Sequence, residues 1–247
     1  MPFPARTFIR ATAFVVGILS LSASHAAEPK PDAEINIKEF GGRIYLDDKI
    51  KADALIAADC LLEGKKWIFA SATATLKQYP DPYWSFVRHY TTLSVVRGRY
   101  VSILRFDEVD SNGVHPQRMV DTILWDKAIN KRISIRPFFT ETADGGPTMR
   151  AMQEVVIASL KAGKEKGEVV AKLSLDYIEP KLLKIGPVTL APSTEVGKSS
   201  GLTFHYVDYT GYIDVFVPWK TLQPFLTPEG IRIFGGDRPK SDKDDEQ

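Results

Sequence analysis

A single cysteine, Cys60, in 247 residues excludes an intramolecular disulfide, so the fold must hold itself together by burial. Histidine is scarce as well. Only His25, His89, His115 and His205 occur, widely separated and without an HExxH or a paired CxxC, so no metal site and no cofactor are expected. No charge of one sign dominates: 32 Lys and Arg face 31 Asp and Glu. Such a balance leaves no electrostatic footprint for nucleic acid and no polybasic pull toward a membrane surface. No apolar run reaches the roughly 20 residues that cross a bilayer; the longest, ATAFVVGILSL, covers 11–21. No internal repeat is evident.

That short run is nevertheless the most informative stretch present. Arg6 and Arg10 precede it, and Ser24-His25-Ala26 follows with small residues at the positions a signal peptidase reads. Charged, apolar and small residues in that order make residues 1–26 a secretory signal peptide, with the mature chain starting near Ala27. The expected compartment is periplasmic or secreted, with no membrane span left after cleavage. The leader takes two arginines with it, so the mature net charge falls to about −1. The remaining residues can bury a sizeable core, which fits one domain over 35–236 between a flexible, proline-containing leader (27–34) and a disordered charged tail (237–247).

Within that domain, alternating apolar residues and Gly41-Gly42 predict a hairpin over 35–46. A proline-free segment, 51–77, predicts a helix, with Gly64 as a potential break and Cys60 as a small buried hydrophobe on its face. Two antiparallel strands turn at Arg97-Gly98 within 84–106. Further strands are expected at 119–125 and, after Ile129-Asn130-Lys131, at 132–135. Met149, Met152, Val156 and Leu160 recur at helical spacing, so a helix over 148–162 is expected, capped by Thr148 and ended by Gly163. Short strands are read in 169–190. The strands 202–207 and 212–217 follow, then a Pro218-initiated helix through Phe225 that Thr227-Pro228-Glu229 closes. The fold class is α+β: an antiparallel β-sheet meander with two main helices packed on it and a short C-terminal helix.

Few motifs carry chemistry. Gly197-Lys198-Ser199-Ser200-Gly201 has the letters of a GxSxG elbow but lacks the strand before and the helix after that would thrust the serine outward. Its Gly-Lys-Ser is no phosphate loop either, because Pro192 stands where the first glycine is required. Asp107, Glu108 and Asp110 cluster at a strand end, where a solvated end and an acid–nucleophile pair are both open readings. Asn112-Gly113-Val114-His115-Pro116 is more distinctive. Asn112, Gly113 and Pro116 make a structural turn, and a histidine held extended before proline is either aimed at a ligand or bonded to the turn itself.

Three stretches resemble one bacterial family. Residues 84–104 (WSFVRHYTTLSVVRGRYVSIL) are similar to the paired strands of the RsiV-like extracytoplasmic domain, a domain of unknown function. Gly113-Val114-His115-Pro116 with 122–139 (TILWDKAINKRISIRPFF) resembles its His-Pro loop, strand and reversal. Residues 202–226, ending Val217-Pro218-Trp219-Lys220-Thr221-Leu222, resemble its closing strand and short helix. The chain departs from the family over 206–212, which is shorter than the usual loop. The resemblance implies a compact α+β fold in the cell envelope. Family members include the outer part of a sigma-factor regulator that binds lysozyme and an accessory domain beside peptidoglycan deacetylases. Neither a transmembrane helix nor a deacetylase domain accompanies this sequence, so binding is what carries over.

The expected function is therefore that of an exported binding module recognising a lysozyme-like protein or a cell-wall component. His115, Tyr209, Tyr212 and Trp219 are its candidate contact residues, because aromatics give large contact area at little entropic cost. Tyr206 shares that chemistry, but strand alternation sends about half of such residues inward. The alternative is a cell-wall hydrolase with His115 as base and Asp107, Glu108 or Asp110 as its partner.

Overall fold

Three long segments rich in β-branched and aromatic residues form the centre of a six-stranded sheet: β3 (Trp84–Val96), β4 (Tyr100–Asp110) and β5 (Gln117–Asp126). The computed structural model describes residues 30–80, 83–110, 115–166, 174–207 and 211–240; the signal-peptide reading of 1–26 lies outside them. The Arg97-Gly98 turn forms as expected, with φ of 55° and 64° at its two residues, the left-handed pair that a tight hairpin requires. Asn130 (φ 51°) likewise turns the chain into β6 (Lys131–Ile133).

The strand order is β1-β2-β3-β4-β5-β6, with β1 (Ala33–Asn36) and β2 (Phe40–Leu46) at one side. It is not a purely antiparallel meander, because β2 and β3 run parallel. Between them the chain crosses over through α1 (Asp48–Lys51) and α2 (Ala54–Gln78), and only such a crossover returns it in the same direction. The expected turn at Gly41-Gly42 is also displaced. Both glycines lie inside β2, and the reversal falls at Lys38-Glu39, closed by the Ile37 amide donating to the Phe40 carbonyl at 3.0 Å. The glycines serve close approach: a Cβ on Gly42 would stand 2.6 Å from Ile68 of α2.

The single helix expected over 51–77 is divided by Asp53, which caps α2 as Asp47 caps α1, each carboxylate accepting a backbone amide three residues on. Ile56, Cys60, Gly64, Ile68 and Ala72 line the inward stripe of α2, spaced by four, against Phe40, Ile44, Phe86, Tyr90 and Ile103 of the sheet. Gly64 does not break this helix; a Cβ there would meet Ile44 at 2.7 Å. Cys60 is fully buried, and burial pushes its thiol up to about 12, far from a reactive thiolate.

A bulge between Thr92 and Ser94 reverses which side chains of β3 face α2. Asp47 holds it, accepting from the Thr92 amide at 2.5 Å and the Thr92 hydroxyl at 3.2 Å. Beyond the bulge, Ser94 faces away from α2 and meets a second sheet, the antiparallel β7 (Val188–Leu190), β8 (Gly201–Val207) and β9 (Tyr212–Pro218). The free edge of β7 is satisfied by hydroxyls of the larger sheet. Ser94 donates to the Leu190 carbonyl at 2.6 Å, the Leu190 amide donates to Ser102 at 3.1 Å, and the Val188 amide donates to Thr122 at 3.1 Å.

The amphipathic helix expected on a sheet is α3 (Pro147–Glu165), whose Met149, Met152, Val156 and Leu160 pack with Leu202, Phe204, Val215 and Val217. Its start differs from expectation. Gly146 is the cap, Pro147 takes the first position, and the buried Thr148 hydroxyl has no hydrogen-bond partner among the described residues. Gly163 lies inside the helix. Of the region read as short strands, 174–190 forms a 3-10 turn (Leu175–Tyr177), α4 (Leu182–Ile185) and β7, whereas 167–173 lies outside the described residues. Pro218 introduces α5 (Trp219–Leu222) as expected. Thr227-Pro228-Glu229 opens a helix instead of closing one: the Thr227 hydroxyl accepts from the Gly230 amide at 3.1 Å and starts α6 (Pro228–Ile233). The described residues thus form an α+β fold of a six-stranded sheet, a three-stranded sheet and six α-helices. None of these helices is long and apolar enough to cross a membrane.

Candidate functional site

Alternation along β8 sends Leu202, Phe204 and Tyr206 into the core beneath α3 and turns Thr203 and His205 to the opposite face. On that face the register sets Thr189 of β7 beside Thr203 and Asp214 of β9 beside His205. The imidazole of His205, whose residue is only 1% exposed, is held between two hydroxyls. Nε2 lies 2.7 Å from Thr189 Oγ1, and Nδ1 lies 2.5 Å from the Tyr212 hydroxyl. Burial pushes the His205 pKa down to about 4, with Asp214 opposing, so the ring is neutral near pH 7. Burial also pushes the Tyr212 phenol up, which keeps it protonated.

This face lines a cleft of about 320 Å³, completed by Leu93 at the bulge of β3, by Pro192, and by Arg238, Pro239 and Lys240. Arg238 is anchored: it donates to Asp214 Oδ2 at 2.7 Å and lies over the Phe216 ring at 5.2 Å. Residues 237–240, the described part of the charged tail, are thus placed beside β9, and 241–247 lie outside the described residues. Arg238 also borders an adjoining hollow with Phe216 and Trp219.

Tyr212 stands on the cleft, 42% exposed and bonded to His205. Trp219 is half-buried in the next hollow, its indole donating to the Gly236 carbonyl at 2.8 Å. Tyr206 is buried and donates to the Ile185 carbonyl at 2.5 Å. His115 is exposed and Pro116 half-buried where β5 begins. There the register sets Ser85 against Asp110, about eight residues of strand, or roughly 26 Å, from Leu93; His115 and Tyr212 are not brought together. Asn112, Gly113 and Tyr209 lie outside the described residues. Of the three carboxylates near His115 in sequence, Asp107 points toward α2 into a buried network and Glu108 pairs with Arg118 at 3.1 Å. Ser199 of the GxSxG-like stretch is buried, its hydroxyl donating between the carbonyls of Ala191 (2.9 Å) and Gly201 (2.7 Å). No group of three or more His, Cys, Asp or Glu among the described residues is placed to hold a metal ion.

A second polar cluster lies under α2. Arg88, 1% exposed, forks onto Asp107 at 2.5 and 2.6 Å, donates to Glu63 at 3.0 Å, and stacks on Trp67 at 4.1 Å. Glu63 also receives the Tyr90 hydroxyl at 2.6 Å, together with Arg105 and Arg132. Burial raises its pKa, but Tyr90 and the three guanidiniums outweigh that and hold the carboxyl below its usual range. Arg105 reaches Asp121 at 2.7 Å and Arg132 reaches Asp59 at 2.7 Å. Apart from Arg105 Nε, which has no hydrogen-bond partner among the described residues, the charged groups here pair with one another, so the network locks α2 to the sheet.

His205, Thr189 and Arg238 were not singled out by sequence. The alternation of Leu202-Thr203-Phe204-His205 carried the one available signal, a histidine sharing a strand face with threonine. Its partners come from β7, β9 and the tail, and their meeting depends on register.

No family model matches the sequence, and no curated protein matches it. Among solved structures, the chain is similar to a DUF3298 family protein from Pseudomonas aeruginosa PAO1. The TM-score is 0.46 at 16% identity, covering 81% of this chain and 91% of that one. It is also similar to a member of the same family from Bacteroides fragilis NCTC 9343, with a TM-score of 0.41 at 13% identity over 73% and 72% of the two chains.

Proposed function

We propose that this chain is an exported binding module of the bacterial envelope that recognises a protein or a cell-wall component through the cleft on the outer face of β7–β9. One observation carries this reading: the cleft gathers polar side chains without an activated nucleophile or a free pair of carboxylates. The imidazole is neutral and engaged at both nitrogens, the Tyr212 phenol stays protonated, and Asp214 is held by Arg238. Groups so arranged orient a ligand but do not attack it. The charged, apolar and small-residue order of 1–26 supports export. Resemblance to the RsiV-like domain supports the envelope setting, and two of the three resembling stretches supply Leu93 and the β8–β9 wall of the cleft.

The test uses the chain from Ala27 to Gln247, incubated with insoluble peptidoglycan and separately with immobilised lysozyme. Retention by one of them, lost in Arg238→Glu and without release of soluble wall fragments, is the expected result. Saturable release of fragments, or no retention by either, overturns the reading. Amino-terminal sequencing of the native protein should begin near Ala27; an intact leader on cytosolic material removes the export step.

A further inference from the structure

We infer that the cleft beside His205 is a carboxylate site, sized for the carboxyl end of a short peptide; this rests on the binding-module reading and deepens it. The chain Thr189–His205–Tyr212 holds more protons than its internal hydrogen bonds use. A neutral imidazole donates from one nitrogen and accepts at the other, and each hydroxyl brings one proton. If Nε2 carries the proton, it donates to Thr189, Tyr212 donates to Nδ1, and the Thr189 proton is left over. If Nδ1 carries it, Thr189 donates to Nε2 and the Tyr212 proton is left over. Either way the relay presents one spare O–H donor and chooses at which end.

Exposure decides between the two ends. Thr189 is 1% exposed and Tyr212 42% exposed, so a ligand entering the cleft meets the phenol. An acceptor arriving there selects the Nδ1–H tautomer and receives the phenolic proton in a hydrogen bond. Charge then decides the kind of acceptor. Arg238 and Asp214 offset each other at 2.7 Å, whereas Lys240 on the same cleft makes no ion pair among the described residues, so the rim is net positive. A planar anion with two oxygens fits, one oxygen on the phenol and the other on the cationic rim.

Size and lining narrow the class. A volume of about 320 Å³ lies at the small end of ligand sites, which run from roughly 300 to 1,000 Å³. Leu93, Pro192 and Pro239 add apolar wall for small aliphatic side chains.

The test titrates the mature chain with Ala-Ala, N-acetyl-Ala-Ala, Ala-Ala amide, acetate and inorganic phosphate by calorimetry, and follows the His205 ring nitrogens by NMR. Expected are saturable binding of both dipeptides that keep the carboxylate, at least tenfold weaker binding of the amide, and weaker binding of acetate. Tyr212→Phe and Arg238→Gln, both at partly exposed positions, should each weaken Ala-Ala at least tenfold, with His205 moving to the Nδ1–H form on binding in the parent. Equal binding of the amide, tighter binding of phosphate, acetate binding as tightly as the dipeptide, or binding of no probe overturns the carboxylate assignment. Retention of the same preparation on peptidoglycan or lysozyme reports separately on the module reading.

Discussion

The two buried polar clusters of this protein differ in what surrounds them. Beneath α2, three guanidiniums and four carboxylates are interlocked, and Arg88, Asp107 and Tyr90 are almost wholly buried. On the outer face of the small sheet, a neutral imidazole sits between two hydroxyls, one of them on Tyr212, a residue 42% exposed. The first cluster has high charge, with nearly all of its donors and acceptors engaged with one another; the second has little charge, an opening and one spare proton. Burial of polar groups is therefore a poor locator of function unless capacity is left over.

Breaking the closed cluster should cost the most. Arg88→Met leaves Asp107 buried without its bidentate partner, and removing one member of a buried pair costs about 3–5 kcal/mol. Urea denaturation should show that loss, and an unchanged midpoint would mean the network contributes nothing net. The open cluster should respond to acid instead. His205 titrates near 4 when folded but near 6.5 in an unfolded chain. As the pH falls below 6.5 the unfolded state takes up the proton first, so stability is complete above that value. It then declines by about 3 kcal/mol on the way to pH 4. In His205→Gln the part of the slope between pH 6.5 and 4 due to this ring should vanish. The smallest effect belongs to Thr189→Val, which keeps the shape but removes the partner of Nε2. Leaving a buried neutral group unpaired costs about 1–2 kcal/mol, read as a shift of the thermal midpoint, and a loss rivalling that of Arg88→Met would erase the distinction between the clusters.

Local chemistry was the legible part of the fold. Arg97-Gly98 and Asn130 mark turns because few other residues accept positive φ, and Met149 to Leu160 mark α3 because a helix repeats its stripe within one segment. Gly41-Gly42 was ambiguous on physical grounds: a missing Cβ permits a turn and equally permits Ile68 to approach a strand. Thr227-Pro228-Glu229 was ambiguous in the same way, since proline both ends the preceding helix and suits the first position of the next. The parallel β2–β3 pair depends on how a crossover docks, which no local pattern encodes.

The site was less legible than the fold. Tyr212 could be proposed because it flanks a turn, but His205 gains meaning only from Thr189, sixteen residues earlier, and from a strand register that pairs it with Asp214. His115 drew attention because a His-Pro pair is conspicuous in one dimension. In three dimensions it stands at the far end of the large sheet from the cleft.

The hydroxyl seam between the sheets has a consequence for the order of assembly. Ser94, Ser102 and Thr122 precede Val188 and Leu190 in the sequence, so a chain that emerges amino end first can complete its three-strand landing ground before the partner segment appears. The late segment then arrives with half its backbone valences unmet and finds receptors already spaced for them. A circular permutant that emits β7 before β3 would have to hold that raw edge open in the meantime, and it should misassemble or aggregate where the natural order does not.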